Sequence, residues 1–418
     1  MGMNLGYLLT SPESGRLIGA LERQNILLTR LITAETEATP VATLREIAEI
    51  VRAGEAPNVF SIGDQIHVNW NNGTADHVLP FDIVHFGDVE LGDGEIVPGM
   101  FIQSHYALDA IQFDGNEAFF VNDTGAELPA GVYSFAMGNS WGTHVVKDKV
   151  YNFALENPIP VGGQLLLGTA SSTTGALPDT APANWRVYLY ASASALTETE
   201  KVTLSEGTGG TFLGTLSSAQ KYGAAGLNNM QRAAYGYNRW GQSGLRQYLN
   251  SAAAVEAWWT PQNPFDRAPN EVKTKRGFLA GFDEAFLQII QPVKVRTALN
   301  TVSDTDLGNY EDTVDTFFPA SLEQEYIVPQ LANTEGVYWE YWKRRLGLSS
   351  PQTTGAAGTN AAHIRYAYDA KSSAQYCRVR SAYRGYAYAT WYVSTSGTAA
   401  SSYYAAHATR SAPACVIC

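Results

Sequence analysis

From Ser381 to its last residue, Cys418, the chain contains no Asp, Glu, Lys, Asn, Gln, Leu, Met or Phe. The stretch cycles instead through Tyr, Ser, Thr, Ala and Gly, with Tyr383, Tyr386, Tyr388, Tyr392, Tyr403 and Tyr404 as its large side chains. Tyrosines this dense exceed what one core absorbs, so part of the set must face solvent or a partner. The palette is that of an antibody combining site. There, Tyr supplies broad amphipathic contact at low entropic cost and Ser or Gly adapts around it. The opposing reading, a disordered low-complexity tail, fits poorly. Trp391-Tyr-Val393 and Ala414-Cys-Val-Ile417 read as buried sheet strands, and a disordered tail would not normally end in one.

The remaining composition bounds the class. A length of 418 residues predicts two or three domains. Charged residues make up 16%, against about 25% in ordinary soluble domains, and the deficit is filled by small residues and Tyr, which favours β-rich, loop-rich architecture. A net charge of −12 repels nucleic acid and anionic membrane surfaces, so neither is expected as a partner. The one dense basic run, Lys343-Arg-Arg345 beside Trp339 and Trp342, reads as the solvated edge of an amphipathic helix. No apolar run approaches the ~20 residues of a membrane span, and the N-terminus lacks the basic and apolar regions of a secretory signal. Cys377, Cys415 and Cys418 are too few for a disulfide framework. One pair can bridge, but the odd count points to folding in a reducing compartment.

Periodicity divides the chain into three. Residues 1–56 read as helical: Leu17, Leu21, Leu28 and Leu31 recur at coiled-coil spacing, and a second helix enters at Pro40 with Thr39 as cap. That second helix carries Leu44, Ile47, Ile50 and Val51 and stops at Gly54. The pair predicts an oligomerisation or attachment segment, with packing on the chain's own domain as the alternative. Residues 57–205 alternate with period two, as in Asp64–Trp70 and Gly131–Ala136, between turns such as Asn72-Gly73 and Asp93-Gly94, and predict a β-rich spacer domain. Residues 206–418 are mixed. Helices are expected over Gly241–Asn250, with Ser243 early and Leu245 and Leu249 on one face, over Asp283–Ile290, and over Ser321–Tyr326. The fold class is therefore α+β.

Catalytic and metal constellations are weak. Gly138-Asn-Ser-Trp-Gly142 matches a nucleophile elbow in letters, but the residues after Gly142 read as another strand, so Ser140 is expected in a turn. The seven histidines show no i, i+4 pairing on a helix. Asp304, Asp306, Glu311, Asp312 and Asp315 do not match the twelve-residue calcium loop and read as a solvated loop. Cys377 lies beside Arg378 and Arg380, which would acidify a thiol, yet nothing marks a partner for it, so a packed cysteine is expected. No cofactor, no metal and no enzymatic activity are expected.

The C-terminal half resembles the variable proteins of diversity-generating retroelements. The residues that carry the likeness are Arg378-Val-Arg-Ser381, Trp391-Tyr-Val393 with Gly397, and Arg410-Ser-Ala-Pro-Ala-Cys-Val-Ile417. Upstream, Asn238–Ser251, Gly277–Phe282 and Phe317–Glu323 resemble a phage and gut-bacterial branch of the same group. The resemblance implies a C-type-lectin-like domain, related to the formylglycine-generating enzymes, over residues 206–418, with a variable region at 360–418. In that group a reverse transcriptase mutates template adenines and rewrites chosen codons near the end of the gene. An AAC or AAT codon can then yield Tyr, Ser, Thr, Ala, His, Asp, Gly and several others, but never Lys, Glu, Gln, Met or Trp. By position, the resemblance carries the diversified, ligand-binding role to Tyr383, Tyr386, Tyr388, Ser394, Thr398, Ser401, Ser402, Tyr403, Tyr404, His407 and Thr409. Tyr366, Tyr368 and Tyr376 are possible further members. It makes Arg380, Trp391, Val393, Arg410 and Val416 the invariant scaffold. The cysteine setting of the enzymes and the motifs of calcium-dependent lectins are absent, so neither activity carries over.

The function expected from this resemblance is a receptor-binding adhesin on a phage or prophage tail, made in the cytoplasm and displayed on the virion. Its ligand would be a host-surface protein or glycan. It would act as a homo-oligomer, preferably a trimer, without membrane insertion. A bacterial surface or sensor protein using the same face is the alternative, and an enzyme of the formylglycine-generating type a remote one.

Overall fold

The computed structural model describes residues 37–117, 120–122, 124–137, 150–155, 157–165, 187–191, 211–218, 235–355 and 360–418. Its architecture is α+β, with many strands and short helices. The stripe of Leu17, Leu21, Leu28 and Leu31 and the Gly138–Gly142 string lie outside the described residues.

The first described helix, α1 (Val41–Arg52), begins after Pro40, which takes the N-cap position at φ −57°. Thr39 does not cap it. Its hydroxyl instead accepts from the His67 N–H at 3.0 Å and pins the helix entrance to a strand. The helix ends as its spacing predicts, with Gly54 at φ +73° beyond Ala53. Leu44, Ile47, Ala48 and Val51 are all buried in the main core. The chain's own interior thus takes up most of the apolar stripe of this helix, with Ile50 half-buried against the same core.

After the short α2 (Ala56–Val59) come β1 (Gln65–Asn71), β2 (Asp76–Glu90) and β3 (Ile96–Ser104), an antiparallel meander. Asn71 and Asn72 side chains accept from the Gly73, Thr74 and Ala75 N–H groups at 2.8–2.9 Å, which closes the first turn. A second, antiparallel sheet follows. It comprises β4 (Phe120–Val121), β5 (Gly131–Met137), β6 (Val150–Leu155), β7 (Gln164–Leu165), β8 (Val187–Ala191) and β9 (Thr211–Ser218), in the order β6-β5-β8-β9-β4-β7.

The chain then returns to the first body. Helix α3 (Gly244–Leu249) forms where expected, and the Ser243 side chain accepts from the Arg246 N–H. Helix α4 (Glu284–Leu287) is shorter than predicted. Beyond it Ile290 bridges to Ile417 and the Gln291 N–H bonds Val416 O, so the sheet takes over the last turn. A ribbon of β10 (Val293–Ala298) and β11 (Tyr310–Asp315) leads to β12 (Phe318–Pro319). Residues 321–326 form successive turns, not the expected helix. The Ser321 N–H is held by the Gln324 side chain, and Tyr326 adopts φ +58°. Helix α5 (Glu340–Leu346) buries Tyr341, Trp342 and Leu346, with Lys343 and Arg344 on its outer edge and Gly347 as left-handed cap.

The remaining strands are β13 (Arg365–Ala367), β14 (Ala370–Gln375), β15 (Cys377–Ala382), β16 (Ala389–Val393), β17 (Ala399–Tyr404), β18 (Arg410–Ser411) and β19 (Pro413–Ile417). The last of these decides the architecture. It inserts between β3 and β12, giving a sheet ordered β1-β2-β3-β19-β12. Val416 sits opposite Phe101, and Ile417 opposite Met100. A Cβ on Gly99 would lie 2.9 Å from Val416 Cγ1, so glycine there lets the two strands pack closely. The boundary expected at residue 206 therefore does not separate two packed units: β1–β3 and the C-terminal strand share one sheet and one core. The β-rich stretch itself divides, its first three strands joining this body and the others the second sheet. Aromatic rings knit the shared core, with Phe282 stacked on Phe317 at 5.2 Å and Phe81 packed on both Phe286 and Phe317.

All three cysteines are buried and unpaired. Among the described residues no helix is long and apolar enough to cross a membrane.

A candidate ligand-binding surface

The tail builds a small sheet of its own, ordered β17-β16-β15-β18, whose inner face packs Val379, Trp391, Val393 and Ala399 against Leu322 and Ile327. In β16 the partly exposed residue Tyr392 lies between buried Trp391 and Val393, as period two requires. A continuous run of aromatic rings borders this sheet. Tyr383 packs on Trp391 at 5.0 Å and stacks on Tyr386 at 5.0 Å, which stacks on Tyr388 at 5.2 Å. Tyr388 and Tyr404 both meet Tyr235, the latter stacked at 4.1 Å. From Tyr404 the run passes to Tyr403, which meets His407 at 4.2 Å and Tyr392 at 6.2 Å, and ends on Tyr376. Tyr376, Tyr386, Tyr403 and Tyr404 are 50%, 41%, 39% and 42% exposed, too open for core residues.

Three buried polar side chains fix this belt. The Asn238 amide donates to Tyr386 O at 2.6 Å, Ala389 O at 2.7 Å and Tyr383 O at 3.3 Å, while its own N–H bonds Ala387 O. The loop carrying three belt tyrosines is thus held from beneath by one residue, itself braced by Asn300 at 3.0 Å. Arg378 does the same for the segment after β17. Its guanidinium donates to Thr390 Oγ1, Tyr404 O, His407 O and Thr409 Oγ1. Arg380 ties β15 to the β10 and β12 region through Thr297 Oγ1, Pro319 O, Arg296 O, Gln324 Oε1 and Glu335 O. Burial pushes Arg378 down to about 9 and Arg380 down to about 10, although the Glu335 carboxylate partly supports the second.

Between Tyr376, Tyr392, Tyr403, His407 and Arg410 opens a cleft of about 370 Å³. That volume falls within the ordinary range of small-ligand sites, roughly 300–1,000 Å³. Partial burial, and after it the Arg378 cation, hold His407 below its ordinary 6.5. A further cavity of about 440 Å³ lies at the base of the β10–β11 ribbon. Its rim cations are already matched: Lys294 to Glu90 and Asp312, and Arg296 to Asp312 at 2.6 Å.

The expected site residues separate by role. Tyr383, Tyr386, Tyr388, Tyr403, Tyr404 and His407 come together in the belt. Ser394 and Thr398 do not: their hydroxyls bond each other at 2.8 Å and lock the β16–β17 turn. Thr409 is buried under Arg378. Ser401 and Ser402 lie on β17, and Tyr366 is exposed on β13. Tyr368 is packed with Trp70 and His77, away from the belt, and bonds Asp109 at 2.9 Å. Of the scaffold set, Arg380, Trp391, Val393 and Val416 are buried. Arg410 is only half-buried at the cleft wall, bonded to Leu108 O and Asp369. Sequence reasoning overlooked Tyr235, Tyr392, Asn238 and Arg378 as parts of the site. For Tyr392 the period of the strand was a usable signal.

The discarded chemistry looks different in three dimensions. The acidic run is only partly solvated: Asp306 and Asp312 are exposed, while the other three are held by the protein. Asp315 accepts from Trp240 Nε1 and pairs with Arg246, Glu311 pairs with Arg239, and Asp304 accepts from Tyr237 and Asn300. Among the described residues no cluster of His, Cys, Asp or Glu is arranged to hold a metal. Burial pushes the Cys377 thiol up to about 12, so it stays protonated near neutral pH.

Fold and site together define a strand-rich α+β protein that presents aromatic side chains from a rigid polar frame. Residues 211–418 match the model of a family described as "Domain of unknown function (DUF6273)". No curated protein and no solved structure matches the chain.

Proposed function

We propose that this chain is a diversified ligand-binding protein that offers its Tyr-rich face to a host-surface protein or glycan. The observation that carries the reading is the separation of roles in the tail. Exposed tyrosines and His407 form one contiguous face, while the residues that hold the face lie buried behind it. Such a division allows contacts to change without loss of the frame, which a display surface requires. On this reading the small sheet and the body that closes on β19 form a C-type-lectin-like domain of the variable-protein kind. Deployment is on a phage or prophage tail, as a homo-oligomer whose copies compensate weak single-site affinity. The protonated, enclosed Cys377 supports a binding role over formylglycine-type catalysis.

A library tests the display property. Tyr386, Tyr403, Tyr404 and His407 are randomised together among Tyr, Ser, Thr, Ala, His, Asp and Gly. Most members should resist protease as the parent does, since exposed substitutions typically change stability by only about 0.5 kcal/mol each. If most members unfold, the belt is a structural element and the reading fails.

A further inference from the structure

The cleft among the aromatic rings lies over a buried positive charge that has no ion-pair partner among the described residues. His407 and Thr409 line it, and the Arg378 guanidinium lies one hydrogen bond behind them, at 2.7 Å from His407 O and 2.9 Å from Thr409 Oγ1. Arg378 is 1% exposed, and every acceptor it reaches is a neutral carbonyl or hydroxyl. Its Nε–H is buried without any partner. Among the described residues no carboxylate forms an ion pair with it, in contrast to Arg380, which has the Glu335 carboxylate nearby. The lining itself contains no Asp or Glu and adds a second guanidinium, Arg410.

Among the described residues two carboxylates lie in the neighbourhood, one in an ion pair and one hydrogen-bonded to a backbone N–H. Asp369, half exposed at the rim, pairs with Arg410 at 3.1 Å. Glu271, which faces His407 from the 270s segment, accepts from the Gln112 N–H at 3.1 Å. Buried charge is expensive unless compensated, and a low-dielectric cleft wall focuses its field on whatever enters. Tyr376, Tyr392 and Tyr403 supply flat ring faces on which another ring can stack.

Building on the ligand-display reading, we propose that this cleft selects a ring bearing a carboxylate, with the acid group directed toward the His407 and Thr409 side above Arg378. An acidic sugar unit and an aromatic acid share that chemistry. A cationic ring is disfavoured by the same charge, although a tyrosine cage alone would welcome one. The net charge of −12 opposes an approaching anion at long range, so the preference arises locally in the cleft.

The test uses the full chain and two matched pairs: glucuronate against glucose, and 4-hydroxybenzoate against 4-hydroxybenzamide. Binding is followed by ligand-observed NMR and calorimetry. At least one acid should bind about tenfold more tightly than its neutral partner, a difference typical of one added charge-assisted contact. The pair that shows the preference tells sugar from aromatic acid. Tyr403→Ala should abolish binding of both members, and Arg378→Met should bring the ratio close to one. If Arg378→Met fails to fold, the unmodified chain still decides, because the acid-to-neutral comparison needs no variant. Equal binding of acid and neutral ring overturns the anion preference and leaves a ligand face standing. Absence of any ring binding overturns the cleft as a site, while sequence variation at the gene's end still judges the display reading separately.

Discussion

A chain shortened to residues 206–418 will not fold cooperatively, although it contains the whole stretch that matches the family model. Its last strand, β19, would lose the partner β3, to which it is registered from Ala414 opposite Gln103 to Ile417 opposite Met100. Cys415, Val416 and Ile417 are completely buried in the full chain, and Ile290 and Phe318 pack in the same core. Burial of each large apolar side chain is worth about 1.5–3 kcal/mol. Exposing Val416, Ile417, Ile290 and Phe318 together therefore consumes a stability that for whole domains is only about 5–15 kcal/mol. The open β19 edge would also invite aggregation. Circular dichroism and tryptophan fluorescence during urea unfolding should show a broad, non-coincident loss of signal. A sharp single transition from this fragment would mean that the shared sheet is dispensable.

The substitution with the largest expected effect is Arg380→Met, which should destabilise the full chain by about 3–5 kcal/mol near neutral pH. It strands five acceptors that the guanidinium now satisfies, from Thr297 Oγ1 to Glu335 O. It also removes the cation nearest the buried Glu335 carboxyl. Burial already sets that carboxyl above its ordinary 4.5, with Arg380 and the Ser381 hydroxyl pulling the other way. Without Arg380 it rises further. A carboxyl whose folded pKa exceeds its unfolded value costs nothing when both states are protonated. Its cost grows as pH passes the unfolded value and is complete above the folded one. The loss caused by Arg380→Met should thus be larger at about pH 8 than near pH 4.5, read from urea midpoints at each pH. An equal loss at both would show that Glu335 does not depend on Arg380.

Local features were readable from the sequence where local physics decides. Strands with period two, the Ser243 cap, the glycine turns and the two strands in the tail all rest on neighbours a few residues apart. The aromatic face was readable from composition, because no core has room for so many tyrosines. What could not be read was long range. Pairing of residues near 100 with residues near 417 leaves no mark in either segment, so the spacer boundary was drawn through a sheet. Small polar residues were equally opaque: Ser394, Thr398 and Thr409 suit a display face as well as a turn lock or a clasp, and only their partners distinguish the roles. Asn238 and Arg378 were seen as motif letters, but their work is to bind carbonyls more than a hundred or some thirty residues away.

The central claim is that exposed belt positions vary while the frame behind them is fixed. Deep sequencing of the gene's 3′ end across a population of the host or phage addresses it most directly. The account predicts substitutions concentrated at Tyr383, Tyr386, Tyr388, Tyr403, Tyr404 and His407, sparing Asn238, Arg378, Arg380, Trp391 and Val416. Variation that is flat along the tail, or that falls equally on Trp391 and Val416, would contradict it.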